Sequence, residues 1–263
     1  MNLKTPEYVA GHSLLSGKSV LVTAAAGAGI GFAAATRSLE EGARAVVLSD
    51  IHEGRLQAAV DKLKTEAGHE QVFGRVANVA VEEDVQGLID FAEDRVGGVD
   101  ILINNAGLGT SKLLIDMEDE EWNKVIDVTL NGTMRMTRCM MKVMKARGRG
   151  GVIVNNASVL GWRAQKEQAH YAAAKAGVMA LTRCAALEAA EFDVRINAVA
   201  PSIVLHPMLR KSAPQEFLEE LEAKEVYGRA AEAWEVANVM MFLASDYSSY
   251  MTGEIVSCSS QRS

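Results

Sequence analysis

The sequence lacks several features that mark specialised classes of protein. Its three cysteines are far apart and have no CxxC or CxxH spacing, so neither a disulfide framework nor a metal site is expected. Acidic residues (34) outnumber basic ones (27) and no basic tract is present, which argues against a surface for nucleic acid. The apolar runs are shorter than a membrane span, and the amino-terminal residues do not resemble a signal peptide. These absences predict a cytoplasmic, soluble protein that binds neither nucleic acid nor membrane.

The composition is instead that of one large α/β domain. Hydrophobic residues make up 49% and charged residues 23% of the 263 positions, which suits a sizeable core. Short runs of Val, Ile and Leu alternate with longer amphipathic segments, and this pattern is typical of parallel strands joined by helices. Because no linker, repeat or low-complexity segment interrupts the alternation, residues 1–263 are expected to form a single α/β domain, with a seven-stranded, doubly wound parallel sheet and helices on both faces.

The strands and helices are predicted from these runs. Strands are expected at Ser19–Thr23, Ala45–Asp50, Gln71–Val76, Ile101–Asn104, Val152–Asn155, Arg195–Val199 and Glu254–Cys258. Helices are expected at Gly31–Glu41, Arg55–Glu66, Glu82–Val96, Glu118–Lys145, Tyr171–Glu191 and Ala233–Ala244.

A glycine-rich turn follows the first predicted strand and contains Gly27, Gly29 and Gly31. Glycines at such a turn let the backbone approach a pyrophosphate, to which the following helix offers N–H groups and a partial positive charge. Asp50 ends the second strand, 19 residues after Gly31, where a carboxylate accepts hydrogen bonds from an adenosine ribose and repels a 2′-phosphate. Since no Lys or Arg is adjacent to Asp50 in the sequence, the pattern predicts NAD(H) rather than NADP(H).

Tyr171 and Lys175 form a YxxxK motif, which places them on one face of a helix. A cation about 4 Å away favours a phenolate by about 4 kcal/mol at an effective dielectric constant of about 20, which would bring the pKa of Tyr171 near physiological pH. An isolated YxxxK motif is usually an ordinary surface pair. Here Ser158 ends the fifth strand 13 residues upstream of Tyr171, at the edge where open α/β sheets bind ligands. The combination predicts a general acid/base site.

These motifs, with Asn104–Gly107 and Arg195–Pro201, resemble the short-chain dehydrogenase/reductases over about Gly17 to Ser257. The resemblance implies a Rossmann-type fold in which Tyr171 exchanges a proton, Ser158 orients the substrate oxygen, and Lys175 lowers the tyrosine pKa and holds the nicotinamide ribose. It also implies a homotetramer with a two-fold interface at Glu118–Lys145 and Tyr171–Glu191. The cofactor site that it implies consists of Thr23, Gly27, Gly29, Ile30, Gly31, Asp50, Asn78, Val79, Asn105, Ala106, Gly107, Tyr171, Lys175, Pro201 and Val204.

A narrower resemblance concerns the substrate. The stretches Val22–Gly31, Gly151–Gln165, His170–Glu188 and Leu243–Gly253 are similar to a mycobacterial-type subgroup associated with breakdown of the sterol C and D rings, whose substrates are hydrindanone or indanone propionyl-CoA thioesters. The similarity implies a secondary alcohol or ketone on a bulky alicyclic body. Residues 204–228 are expected to form an apolar lid, with Arg210 and Lys211 near CoA phosphates. The expected substrate contacts are Trp162, Gln165, His206 and Met208.

The chain departs from the family pattern at several positions. Ala24 replaces the first glycine of the turn, Asn78 replaces an aspartate, and Ser202 and His206 replace a glycine and a threonine. Thr129 replaces the asparagine of the catalytic tetrad and is expected to keep part of the proton relay through its main-chain carbonyl. Two alternatives to a dehydrogenase of bulky substrates therefore stay open. One is an NAD-binding scaffold or sensor with little turnover, and the other is a reductase of the same fold with an unrelated carbonyl substrate.

Overall fold

The computed structural model describes residues 4–205 and 215–260. At its centre is a seven-stranded, wholly parallel sheet with the order β3-β2-β1-β4-β5-β6-β7. The predicted single-domain α/β fold is confirmed. The strands are β1 (Ser19–Thr23), β2 (Ala45–Asp50), β3 (Val72–Val76), β4 (Ile101–Asn104), β5 (Gly151–Asn156), β6 (Val194–Pro201) and β7 (Ile255–Cys258). The helices are α1 (Ile30–Glu40), α2 (Glu53–Ala67), α3 (Glu82–Val96), α4 (Asp119–Ile126), α5 (Gly132–Arg147), α6 (Ala169–Ala189), α7 (Gln215–Ala223) and α8 (Ala233–Ala244).

The central strands are buried on both faces, which explains why they appear in the sequence as continuous apolar runs. In β1, Val20 and Val22 belong to a core that also contains side chains of α1 and α8, whereas Leu21 belongs to a core with side chains of α3, α5 and α6. The strand order reverses between β1 and β4. In such a sheet, ligands bind outside the carboxyl ends of the strands at this switch point.

The predicted helix Glu118–Lys145 is wrong in one respect, because the chain forms two α-helices here. A π-helical turn at Asp127–Asn131 separates α4 from α5. Gly132 follows it and packs against Val79, since a Cβ added at Gly132 would lie 2.7 Å from a methyl carbon of Val79. A π turn is one residue wider than an α turn and often marks a functional site. In this protein it contains Thr129.

The expected lid is described only in part. His206, Met208, Arg210 and Lys211 lie outside the described residues. Beyond them, α7 buries Leu218, and the buried Glu225 accepts hydrogen bonds from the main-chain N–H and the hydroxyl of Ser260. The end of this segment is thereby attached to the residues that follow β7. Within residues 4–205 and 215–260, no helix is both long and apolar enough to cross a membrane.

Candidate active site

The carboxyl ends of β1, β4 and β5 bring the predicted catalytic residues together. Ser158 follows β5 directly, and its Oγ accepts a hydrogen bond from the N–H of Leu160 at 3.2 Å, so the side chain caps the short 3₁₀ turn Val159–Gly161. Tyr171 lies in the first turn of α6, where Ser158 is near enough to act on the pKa of its phenol. The predicted pairing of serine and tyrosine is present.

The state of Tyr171 differs from the one expected from the sequence. Burial raises the pKa of Tyr171 above its usual value, and the hydrogen bond with Ser158 offsets only part of that rise. The Nζ of Lys175 lies 5.5 Å from the centre of the tyrosine ring, and the lysine does not bring the tyrosine pKa toward neutrality. The predicted lowering is wrong because burial disfavours the charged phenolate, and only Ser158 acts in the opposite direction. Tyr171 is thus a protonated phenol at neutral pH, which is the form that donates a proton.

Lys175 is 3% exposed, and burial lowers its pKa to about 8. Its Nζ donates a hydrogen bond to the main-chain carbonyl of Asn156 at 2.6 Å. The ammonium is held beside Gly107, since a Cβ added to that glycine would lie 3.4 Å from Nζ. Lys175 therefore lies between the tyrosine ring and the loop after β4.

Thr129 is fully buried next to the same glycine. A Cβ added at Gly107 would lie 3.8 Å from the Oγ1 of Thr129. That Oγ1 accepts a hydrogen bond from the N–H of Leu108 at 3.0 Å and donates one to the carbonyl of Leu108 at 3.1 Å. The Thr129 carbonyl accepts the hydroxyl of Thr133 at 2.8 Å. The side chain of Thr129 is thus committed to the loop, and any part in a proton relay falls to its carbonyl.

Asn131, two residues further on, does not take the place of the missing tetrad asparagine. Its side-chain amide donates to the carboxylate of Asp127 at 3.1 Å. Asp127 also accepts from Arg135 at 2.9 Å, so the amide is held in a local ion-pair cluster.

Hydrogen bonds join the glycine-rich turn to the loop after β4. The Oγ1 of Thr23 accepts the N–H groups of both Asn105 and Ala106 at 3.0 Å. The side chain of Asn105 donates to the carbonyls of Thr23 (3.2 Å) and Ala24 (3.0 Å). Gly31 is required in the first turn of α1, because a Cβ there would lie 2.4 Å from the carbonyl oxygen of Ala24. Ala24 has φ of 49°, a left-handed conformation that is unfavourable for a residue with a Cβ.

The turn has the features needed to hold the pyrophosphate of a nicotinamide dinucleotide. Added Cβ atoms at Gly27 and Gly29 would meet nothing within 4 Å, so space is open above both residues. Ile30 begins α1 at this point, and the first N–H groups of a helix attract phosphate. The turn thus fits a bound dinucleotide. Among the described residues, no group of three or more His, Cys, Asp or Glu side chains is placed to hold a metal ion.

Asp50 lies at the end of β2, beside the turn. Its carboxylate accepts the N–H groups of Ala26 at 3.2 Å and His52 at 3.0 Å. Burial raises the pKa of Asp50, while the hydrogen bond from Ala26 and the charge of Arg55 act in the opposite direction. The guanidinium of Arg55 is 3.8 Å from the carboxylate. Arg55 is not adjacent to Asp50 in the sequence, but it lies in the first turn of α2, close to the end of β2.

The other expected cofactor contacts occupy neighbouring positions. Asn78 follows β3, and its side-chain oxygen accepts the N–H of Ala80 at 3.0 Å, so that acceptor already has a partner within the turn. Val79 is buried against Gly132. At the other end of the cleft, Pro201 ends β6 and Val204 forms a parallel bridge with Ala231.

Of the expected substrate contacts, two are described. Trp162 is 51% exposed and follows the turn capped by Ser158, and Gln165 is half-buried. Both lie on the segment between Ser158 and Tyr171, as the sequence analysis assumed.

Asn156 connects the two ends of the cleft and was missed from the sequence. Its side-chain amide donates to the Oδ1 of Asn105 at 3.0 Å, while its carbonyl holds Lys175. A chain of hydrogen bonds therefore runs from the glycine-rich turn through Asn105 and Asn156 to Lys175. The only sequence signal was the pair of polar residues, Asn155 and Asn156, at the end of an apolar strand.

Comparisons with known proteins agree with this geometry. Residues 24–260 match the family described as Enoyl-(Acyl carrier protein) reductase. A Mycobacterium tuberculosis protein named (5R,7aS)-5-hydroxy-7a-methyl-1-oxo-2,3,5,6,7,7a-hexahydro-1H-indene-carboxyl-CoA reductase is 56% identical over 99% of both chains. A Thermotoga maritima 3-oxoacyl-(acyl-carrier-protein) reductase is 37% identical over 92% of this chain and 96% of its own.

Among solved structures, a short-chain dehydrogenase from Mycobacterium smegmatis superposes with a TM-score of 0.88 and 54% identity, covering 99% of each chain. The Ser158, Tyr171 and Lys175 arrangement at the switch point of a parallel sheet, together with these relatives, leads to one conclusion. The chain belongs to the short-chain dehydrogenase/reductase family and is an oxidoreductase.

Proposed function

We propose that this protein reduces a ring ketone of a fused bicyclic CoA thioester with NADH. The observation that carries the proposed chemistry is the half-buried Tyr171, which lies near Ser158 and whose pKa is raised above its usual value by burial. A phenol held in its protonated form is suited to donate a proton to a carbonyl oxygen as that oxygen becomes an alkoxide. The protonated phenol is the form that the reductive direction requires, and the sequence alone left that direction open.

The residues divide the work as follows. The nicotinamide supplies the hydride when it is bound. The Ser158 hydroxyl orients the ketone oxygen toward Tyr171, and the phenol of Tyr171 delivers the proton. Lys175 binds the nicotinamide ribose with its ammonium, whose position is fixed by the carbonyl of Asn156. Thr129 holds the loop at Leu108, which keeps Gly107 against the lysine.

The preference for NAD(H) rests on Asp50. Its carboxylate is fixed by two main-chain N–H groups at the end of β2 and repels a 2′-phosphate. The guanidinium of Arg55 lies 3.8 Å from this carboxylate, and its positive charge weakens the repulsion of a 2′-phosphate. While Arg55 is paired with Asp50, it is not free to bind that phosphate, so the preference for NAD(H) depends on the ion pair. NADP(H) is expected to be a poor but measurable cofactor.

The substrate class rests on the relative that is 56% identical over nearly the whole chain. Its name specifies an oxygenated, methylated hexahydroindene ring and a carboxyl-CoA thioester, which agrees with the sterol-ring subgroup expected from the sequence. The propionyl side chain of that expectation does not appear in the name, so the proposal retains the bicyclic ring and the thioester only. Trp162 and Phe217 are both exposed and supply apolar surface for such a ring.

The assembly proposed for this chain is a homotetramer with α4, α5 and α6 at a two-fold interface. Leu187 on α6 is 77% exposed, which supports contact with a second copy. Met136, Met140 and Met144 of α5 are buried within the subunit and are therefore core residues. A monodisperse monomer at micromolar concentration in light scattering would refute the assembly.

The function is tested by following NADH absorbance with a hydrindane ring-ketone CoA thioester, its free acid and a small secondary ketone. The proposal expects turnover of the thioester at higher kcat/KM than the other two compounds. NADH binding without turnover of any ketone would favour the scaffold alternative. Equal efficiency with all three ketones would favour a reductase of unrelated substrates.

A further inference from the structure

The loop after β4 is attached to the segment before the catalytic helix by four hydrogen bonds. The main-chain N–H of Lys112 donates to the carbonyl of Glu167 at 3.1 Å. The side chain of Gln168 donates to the carbonyl of Thr110 at 2.9 Å and to the hydroxyl of Ser111 at 3.0 Å. The fourth bond joins the Oγ1 of Thr110 to the Nε2 of His170 at 2.8 Å.

These bonds hold the loop directly over the reacting tyrosine. A Cβ added at Gly109 would lie 3.1 Å from Cδ2 of Tyr171, so the loop backbone packs against the aromatic ring. The next residue, Thr110, is exposed, although its hydroxyl forms a hydrogen bond with the buried His170. The loop therefore carries one oriented hydroxyl on the residue next to the one that packs against the Tyr171 ring.

The direction of the hydrogen bond follows from the surroundings of His170. The imidazole is fully buried, and its Nδ1 has no partner among the described residues. A buried N–H without an acceptor is less favourable than a bare ring nitrogen, so the proton resides on Nε2. Nε2–H then donates to Thr110 Oγ1. Because a hydroxyl has one hydrogen and two lone pairs, the Thr110 O–H remains free to donate to another molecule.

We infer that Thr110 is a specificity-determining residue, oriented by His170, that donates a hydrogen bond to a second oxygen on the ring system of the substrate. The inference rests on the proposed function and adds one requirement to it, namely a ring oxygen other than the one that receives the proton. Gln168 is a positioning residue for the loop, since it is buried and donates to Thr110 and Ser111.

The test compares two hydrindane CoA thioesters, one with two ring oxygens and one that retains only the reducible ketone. Thr110→Val keeps the shape of the side chain and removes the hydroxyl. It should lower kcat/KM for the first compound relative to the second by about fivefold, since a hydrogen bond to a neutral group contributes about 1 kcal/mol. Thr110→Ser should restore discrimination between the two compounds.

His170→Phe removes the donor that orients the hydroxyl. It should reduce the same discrimination in the same direction, although less than Thr110→Val does, because the hydroxyl is still present. A Thr110→Val variant that affects both compounds equally, or neither, would overturn the inference and leave the reductase assignment intact. If the unmodified enzyme reduces neither compound, the proposed function is wrong and the inference is wrong with it.

Discussion

The two sides of the cleft are built in different ways. On the side of β1 and β2, the expected dinucleotide site consists mostly of main-chain N–H groups, with open space above two glycines. On the side of β5 and α6, the proposed chemistry depends on the hydroxyls of Ser158 and Tyr171 and the ammonium of Lys175. A site formed by the backbone can tolerate a changed side chain. A site formed by side-chain groups can lose its activity when a single side-chain atom is removed.

Two of the departures from the family pattern lie on the side built from the backbone, whereas Thr129 lies beside the same Gly107 as Lys175. Ala24 adopts a left-handed conformation, and Asn78 accepts a hydrogen bond within its own turn. Both changes lie on the backbone-built side. The serine, tyrosine and lysine on the other side are all present. Substitutions on the β5 and α6 side should therefore affect rate, and those on the β1 and β2 side should affect cofactor choice or stability.

The largest effect is expected from Tyr171→Phe. The change removes only the proton that the phenol donates, and it leaves the ring packed against Gly109. Turnover should fall by roughly 10²–10⁴-fold, while NADH affinity should be nearly unchanged. Steady-state kinetics and fluorescence titration with NADH measure the two quantities. Retention of most activity would place the proton donor elsewhere.

The next effect concerns the charge of Lys175. Its pKa of about 8 means that the ammonium is charged below that pH and is lost as the pH rises through it. NADH affinity should therefore weaken above pH 8 as the ribose loses a charged donor. Lys175→Met should bind NADH roughly tenfold more weakly near pH 7, because hydrogen bonds to charged groups contribute about 1.5–3 kcal/mol. The variant should show no step near pH 8, and a step of unchanged size would assign the titration to another group.

Asp50→Ala should change cofactor choice. Removal of the carboxylate leaves Arg55 without its partner at 3.8 Å and free to bind a 2′-phosphate. The preference for NADH over NADPH should narrow by about tenfold or more. The matched control is Asp50→Ala with Arg55→Ala, in which the improvement with NADPH should largely disappear. An unmodified enzyme equally efficient with both cofactors would contradict the assignment.

Thr129→Ala should have a milder effect on rate. The change removes both hydrogen bonds to Leu108 but leaves the Thr129 carbonyl in place. The free energy of unfolding should fall by about 1–2 kcal/mol, with only a several-fold loss of kcat. Chemical denaturation and kinetics test this against Thr129→Ser, which keeps the hydroxyl. A loss as large as that of Tyr171→Phe would contradict a relay through the main-chain carbonyl.

The smallest effect is expected from Ala24→Gly. Glycine removes the strain of φ at 49°, although it also increases the entropy of the unfolded chain. The two terms nearly cancel, so the free energy of unfolding should rise by at most about 1 kcal/mol. NADH affinity should not change. A marked gain in NADH affinity would show that Ala24 limits the approach of the pyrophosphate.

The sequence predicted the fold well because the strands are buried runs with turn residues at their ends. β1, β2 and β4 begin and end at the predicted residues, and α3 and α8 do as well. The helix through Thr129 was predicted as continuous because side-chain periodicity does not reveal a π turn such as Asp127–Asn131.

The sequence predicted which residues form the site better than it predicted the pKa of Tyr171. Ser158, Tyr171 and Lys175 meet as expected, but the rise of the tyrosine pKa depends on burial, which a motif does not encode. Asn156, Arg55 and the His170 contact with Thr110 join segments between 5 and 60 residues apart. Contacts of this kind are set by tertiary packing and carry no local pattern.

The central claim is that the β5 and α6 side supplies the proton transfer while the β1 and β2 side supplies only cofactor binding. Single-turnover reduction of the ring-ketone thioester, measured at saturating NADH in Asp50→Ala and Tyr171→Phe, tests it most directly. The account predicts a rate close to that of the unmodified enzyme in Asp50→Ala and a loss of at least about 10²-fold in Tyr171→Phe. Similar losses in both variants would contradict the division.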